Sequence, residues 1–182
     1  MAKRVLLTGV SGVGKSTVVA ALAARGFRAV DLDTPEWSQW IAVPDVDGPY
    51  GPPAAAGRDW VWREDRVERL LAEHRDGVLF VSGCAENMRR FTDRFDLRVL
   101  LSASPSTILA RLARRAPAAH GARPEDRARV VRHLQAVEPL LRRSAGLEID
   151  TDRPVEAVVE ALLKAVEGLG VGGGAPDGRP HA

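Results

Sequence analysis

The chain is short of several things, and each shortage excludes a class. It has one cysteine, Cys84, in 182 residues. One thiol cannot form an internal disulfide, so the chain is not a disulfide-stapled scaffold and fits a reducing compartment. Its uncharged apolar stretches, such as Val5–Leu7, Val78–Val81 and Val99–Leu101, fall far short of the roughly 18 residues a membrane span needs. Met1-Ala2-Lys3-Arg4 runs straight into a strand-like segment, with no long apolar stretch and small-residue cleavage site, so no signal peptide is expected and the location expected is cytoplasmic. Lysine is scarce: of 26 basic residues only Lys3, Lys15 and Lys164 are lysines. Aromatic residues make up only 5%, and they are not evenly spread.

What is present describes an ordinary folded domain. Hydrophobic residues are 45% and charged residues 27%, close to the globular average and far from disordered, collagenous or coiled-coil composition. The length suits a single domain with a sizeable core. Formal charge is only +2, but residues 105–145 hold nine arginines against Glu125, Asp126 and Glu138. A local basic segment on a near-neutral chain points to a small polyanion before nucleic acid.

Short apolar runs alternate with amphipathic stretches. Arg4–Val10, Ala29–Asp33, Gly77–Gly83, Leu97–Ser102 and Leu147–Thr151 read as strands. Lys15–Arg25 reads as a helix stopped by Gly26, and Trp60–His74, Pro105–Arg115, Glu125–Arg143 and Pro154–Glu167 as further helices. Ser104 is the expected N-cap of the third, and Pro139 is expected to kink or split the fourth. The pattern means an α/β domain with a parallel sheet, spanning residues 1–168. Within it, residues 34–59 form a Pro- and Gly-rich insertion, expected to be irregular with one helical turn near Trp37–Ile41, and residues 116–124 a lid loop. Residues 169–182 are expected to be a disordered Gly/Pro-rich tail.

Gly9-Val10-Ser11-Gly12-Val13-Gly14-Lys15-Ser16 matches the phosphate-binding pattern G-x-x-x-x-G-K-[ST] without a gap. Glycines let the backbone wrap until successive N–H groups face phosphate oxygens. The helix opening at Lys15 adds its partial positive charge. Lys15 reaches the β- and γ-phosphates, and the Ser16 hydroxyl serves Mg²⁺. Gly9, Ser11, Gly12, Val13, Gly14, Lys15, Ser16 and Thr17 are therefore the expected nucleotide cradle, with ATP and Mg²⁺ as ligands. Neither Val78–Val81 nor Val99–Leu101 ends in an acid, and no Asn-Lys-x-Asp guanine reader is present. Both absences turn the reading from motors and switches towards small kinases.

Asp31 and Asp33 end the second strand, on one side of it by alternation. In an open parallel sheet that end faces the ligand crevice. One carboxylate near Mg²⁺ (Asp31, with Ser16) and one near an acceptor hydroxyl (Asp33) is what phosphoryl transfer asks for. Capping of the following turn is the other reading of the pair. Trp37, Trp40, Trp60, Trp62 and the only tyrosine, Tyr50, fall within 26 residues. They wall an acceptor pocket, with Trp37 and Trp62 as candidates, or they hold the insertion together as a small core. Arg58 and Arg63 flank the cluster and either clamp an anionic acceptor or are solvated. Arg111, Arg114, Arg115 and Arg123 bracket the lid loop, either to close over a triphosphate or as a solvated helix end. His120 and His133 show no metal-ligand spacing, and Cys84 is expected to be a small buried residue near the crevice.

On Gly9–Ser16, Asp31-x-Asp33, Ser82-Gly83-Cys84, the arginine-flanked lid and Ile149-Asp150-Thr151-Asp152-Arg153-Pro154, the chain resembles the shikimate kinase/gluconate kinase/adenylate kinase group of small P-loop kinases over about residues 4–166. The resemblance implies a three-layer α/β/α P-loop NTPase fold, with a five-stranded parallel sheet in the order 2-3-1-4-5. It implies Mg²⁺ at Asp31 and the acceptor hydroxyl at Asp33, with Gly83 beside the acceptor. It implies a lid arginine on ATP, for which Arg115 is the candidate beside Lys15 and Asp33, and Arg111 with Arg153 and Pro154 around adenine. The chain departs from shikimate kinases too. Their Arg-x-Pro-Leu-Tyr run reads Val137-Glu138-Pro139-Leu140-Leu141 here, so an acceptor-binding arginine is gone, and the Trp-rich insertion is not typical of them. The expected function is a kinase moving the γ-phosphoryl of MgATP to a small acceptor other than shikimate. A nucleoside or nucleotide kinase, or a nucleotide-binding accessory with slow or no turnover, are the alternatives. A small-molecule acceptor, no nucleic acid, no membrane, and a monomer or homodimer complete the expectation.

Overall fold

The computed structural model describes residues 2–48, 52–115 and 124–169. Tyr50, His120, Arg123, nearly all of the lid loop and all of the tail beyond Leu169 lie outside the described residues.

Five strands form one parallel sheet: β1 (Lys3–Thr8), β2 (Arg28–Asp31), β5 (Val78–Ser82), β6 (Leu97–Ser102) and β7 (Leu147–Asp150). Their spatial order is β2-β5-β1-β6-β7. The crossovers carry α1 (Lys15–Ala24), α2 (Glu64–Glu73), a 3-10 helix (Glu86–Arg94), α3 (Pro105–Ala113), α4 (Pro124–Ala136) and α5 (Glu138–Ser144), and α6 (Val155–Gly168) closes the chain. The period of two along each strand divides the core between the sheet's faces. Val5, Leu7, Phe80, Val99 and Leu101 pack with Val18, Leu22, Ile108, Leu112, Val158 and Leu162. Leu6, Leu79, Val81 and Leu100 pack with Val67, Leu70, Leu71, Met88, Phe91 and Leu141. Burying both faces is what makes these strands nearly all apolar.

The residues 34–59 segment is not irregular throughout. β3 (Ser38–Ala42) pairs antiparallel with β4 (Arg58–Trp62), bringing Trp40 opposite Trp60 and Ser38 opposite Trp62. The expected helical turn at Trp37–Ile41 is a strand, and the helix expected from Trp60 starts only at Glu64. The indoles decide this: aromatic pairs across a ladder favour the extended form, while Glu64 and Asp65 suit a helix N-terminus. The 3-10 helix has no counterpart in the sequence reading. Pro139 splits the fourth expected helix into α4 and α5. It has no N–H for the ladder, although Val137 N still donates to His133 O at 2.8 Å and keeps the halves joined. Among the described residues no helix is long and apolar enough to cross a membrane.

Candidate active site

The turn between β1 and α1 leaves the sheet at its carboxyl edge, and its glycines are conformationally required. Gly9, Gly12 and Gly14 have φ of 144°, 92° and 103°. A Cβ on Gly9 would lie 2.4 Å from the Leu101 carbonyl oxygen, a clash with backbone that nothing can relieve. Gly14 caps α1 with no side chain in the way, which opens the helix N-terminus to an anion. Lys15 is 8% exposed. Its Nζ donates to Gly9 O at 2.8 Å and lies 3.3 Å from Asp33 Oδ2.

Only Asp31 belongs to β2; Asp33, expected to end the same strand, lies in the bend that follows it. Asp31 Oδ2 accepts from Ser16 Oγ at 2.5 Å. Its Oδ1 accepts from Ser82 Oγ and from Asp33 N, both at 3.0 Å. Asp33 Oδ1 accepts from Cys84 N at 3.3 Å. Burial, outweighing the Lys15 ammonium, holds the Asp33 carboxyl above the ordinary aspartate range. Burial likewise pushes the Cys84 thiol up, so Cys84 is poorly suited to act as a nucleophile. Asp31 also caps the turn that follows it, accepting from Asp33 N.

A cleft of about 1260 Å³ opens along this edge. The loop residues Val10–Thr17, with Asp33, Cys84, Arg111, Arg115, Thr151 and Arg153, line one part. Arg111 is fixed from three sides: Nη1 donates to Val13 O at 3.2 Å and Thr151 Oγ1 at 3.0 Å, and Nη2 to Thr151 O at 2.7 Å. It ties α3 and the β7 turn to the phosphate loop. Arg115 Nη1 donates to Ser11 Oγ at 3.1 Å. Burial lowers its pKa, and the field of Asp33 opposes that shift. Pro154 is the N-cap of α6, next to Arg153.

Trp40, Trp60, Pro52, Ala54, Asp59, Met88, Val137 and Leu140 also line the cleft, together with Glu86, Arg89, Thr92, Arg98, His133 and Ser144. Here the sequence reading needs correction. Of the four tryptophans, Trp40 and Trp60 face the cleft, whereas Trp37 and Trp62 pack into the core. Trp62 is 1% exposed and lies 5.8 Å from Phe91. Its backbone is bracketed by Asn87, which accepts from Trp62 N and donates to Trp62 O, each at 3.0 Å. Arg58 stands 4.6 Å over the Trp40 ring, and Arg63 Nη1 donates to Gln39 Oε1 at 2.9 Å; neither lines the cleft. Gly83 is buried between Trp62 and Asp33: a Cβ there would meet Trp62 Cζ2 and Nε1 at 2.9 Å and Asp33 Oδ1 at 3.2 Å. Thr151 and the Trp40–Trp60 pair were not singled out as site residues. The cluster of tryptophans carried the signal, but choosing among them needed the strand register.

The Ser16 hydroxyl and the Asp31 carboxylate are hard oxygen donors side by side. They suit Mg²⁺, which takes one or two carboxylates and leaves its other positions to phosphate and water. No group of three or more His, Cys, Asp or Glu forms a metal cage among the described residues.

A parallel sheet with its glycine loop at the carboxyl edge, leading into a helix, defines a P-loop nucleotide-binding fold. A family model described as AAA domain matches residues 5–132, and the chain belongs to that family. In fold it is similar to shikimate kinase from Acinetobacter baumannii in complex with shikimate (TM-score 0.60, 17% identity, 92% of this chain and 94% of that one). It is similar also to a gluconokinase from Sinorhizobium meliloti 1021 (TM-score 0.58, 21% identity, 94% and 98%). A third likeness is to a sugar kinase from Janibacter sp. HTCC2649 (TM-score 0.53, 20% identity, 92% and 95%). At these identities the likeness is one of fold. Comparison with curated proteins returns no match.

Proposed function

We propose that the protein is an ATP-dependent small-molecule kinase that moves the γ-phosphoryl group of MgATP to an acceptor hydroxyl. One observation carries this: the Asp33 carboxylate, in the cleft, lies 3.3 Å from the ammonium of the phosphate loop. A group in that place can meet an acceptor hydroxyl where it meets the phosphate.

The loop N–H groups and the start of α1 bind the phosphates. Ser16 and Asp31 would hold Mg²⁺, which when bound would offset phosphate charge. Lys15 leaves Gly9 O and Asp33 for the phosphates. Asp33 then orients the acceptor hydroxyl and takes its proton as the oxygen–phosphorus bond forms and the bond to ADP breaks. Its raised pKa makes it a better proton acceptor than an ordinary aspartate. Arg115, placed at Ser11, offsets the charge that develops in transfer. Arg111, Arg153 and Pro154 stand on the adenine side. The similarity in fold to kinases of small polyols and acids supports the same reading.

The test is acceptor-dependent ADP release from full-length protein and MgATP, with Asp33→Asn beside it. The variant is expected to lose turnover by about 10²-fold or more while nucleotide affinity stays within a few fold. Wild-type turnover in Asp33→Asn, or ADP release indifferent to every acceptor, overturns the proposal and leaves a nucleotide-binding accessory.

A further inference from the structure

The end of the cleft away from the phosphate loop is built unlike a site for an acid. Its lining includes Trp40, Asp59 and Trp60 of the β3–β4 hairpin. Trp40 and Trp60 are cross-strand partners with ring centroids 4.9 Å apart and planes 58° apart. Trp40 remains 41% exposed. A pair serving only to hold the hairpin together would be covered. That task falls two rungs along, on the same face of the hairpin, where Ser38 and Trp62 are both buried. Trp40 and Trp60 instead offer uncovered indole surface to the cleft.

The hairpin's connecting loop is held against α4 by four contacts: Arg129 donates to Asp45 at 3.1 Å and Pro53 O at 3.3 Å, Arg132 donates to Asp47 at 3.3 Å, and His133 Nε2 lies 2.6 Å from Pro52 O. The facing wall, Val137 and Leu140, is apolar. One cation lies on the indoles themselves: the Arg58 guanidinium stands 4.6 Å over the Trp40 ring as a cation–π partner, leaving Trp60 the freer face. The other charges near the pair are acidic or matched. Asp59 accepts from Ala54 N and Trp60 N through one oxygen. Arg89 pairs with Glu86 at 3.2 Å, and His133 is engaged with Pro52. Arg98 also lines the cleft, at the Leu6 rung of β6, two residues short of the Leu100–Thr8 rung.

We infer, resting on the kinase reading above, that the acceptor is a neutral alcohol bearing a flat ring, stacked on the Trp60–Trp40 surface with its hydroxyl directed to Asp33. Indole faces bind flat π-systems by offset stacking, and an exposed indole pair facing Val137 and Leu140 in one cleft favours a flat apolar body over a polyol acid. A nucleoside and a simple aryl alcohol share this chemistry; the probes separate them.

Four probes decide it: uridine and 3-phenylpropane-1,2-diol, which are neutral and flat-ringed, against shikimate and gluconate, which are anionic and not aromatic. Each is titrated into the full chain without nucleotide, read by calorimetry, and then assayed for ADP release with MgATP. At least one flat-ring probe is expected to bind and be turned over. Trp60→Leu should weaken that binding by about tenfold, and Trp60→Phe, which keeps a flat face, should largely retain it. ATP affinity, unchanged in both variants, reports that they are folded. Uridine alone active means a base reader; the diol active means a general aryl site. No binding by either flat-ring probe, binding indifferent to Trp60→Leu, or shikimate or gluconate preferred by tenfold or more in kcat/KM overturns the inference and leaves the kinase intact. Flat-ring binding that depends on Trp60 without ADP release supports the ring site and overturns the kinase reading instead.

Discussion

Two residues set what the site can tolerate. Gly83 sits where a methyl group would press on the Trp62 ring at 2.9 Å and on Asp33 at 3.2 Å. Trp62 is wedged in the core and cannot yield. Gly83→Ala is expected to cost about 1–3 kcal/mol, seen as a lower urea midpoint. It should also lower acceptor turnover more than nucleotide affinity, because Asp33 is the softer neighbour. Asp33 itself leaves a mark on stability. Burial raises its pKa above 3.8, so the folded chain holds that proton more tightly than the unfolded chain. The resulting stability is complete below the ordinary aspartate range and is lost as pH rises through the raised value. Asp33→Asn cannot ionise. In urea melts of nucleotide-free protein, its stability relative to wild type should therefore climb as pH rises across that window. A difference that stays flat with pH would show that Asp33 titrates as an exposed carboxylate does.

At the scale of elements, legibility in the sequence followed the length and regularity of the pattern. The sheet strands could be read because each is an apolar run bounded by turns, and α6 because Val155, Val158, Val159, Leu162 and Val166 recur at helical spacing. The phosphate loop is a fixed spelling. The hairpin was hidden: Pro44, Pro52, Pro53, Gly48 and Gly57 surround two strands of five residues each, and punctuation of that density reads as loop. Its partner on α4 is distant in sequence, so no local pattern could show that Arg129 meets Asp45. That clasp yields a prediction. Exposed ion pairs contribute about 0–1 kcal/mol each, and Arg129, at 14% exposure, is the better covered of the two. Arg129→Ala with Arg132→Ala should lower global stability by only about 1 kcal/mol but speed amide exchange in β3 and β4 markedly more than in β1 or β5. Equal acceleration everywhere would mean the clasp supports the whole fold and not the hairpin alone.

For the whole molecule, the sheet divides labour between its edge and its faces. Two apolar layers carry the stability, and the carboxyl edge gathers the turns after β1, β2, β5 and β7 around one cleft. Ligand that binds only the folded chain stabilises it by mass action, about 2.7 kcal/mol at a hundredfold excess over Kd. MgATP is expected to raise the melting temperature accordingly. Asp31→Asn should keep the shift given by ATP alone and lose the increment added by Mg²⁺; an undiminished Mg²⁺ increment would remove Asp31 from the metal's ligands.

The Lys15 ammonium, finally, is already spoken for in the free protein, held by a carbonyl and a carboxylate. An arriving anion has to compete with these internal partners, so each ligand pays a fixed entrance toll before any gain. A triphosphate recovers that toll many times over through its other contacts, whereas a lone orthophosphate ion has little else to offer. On that footing the loop is expected to favour ligands that bring several phosphates over a single small anion, so orthophosphate should compete poorly with ATP in a displacement titration.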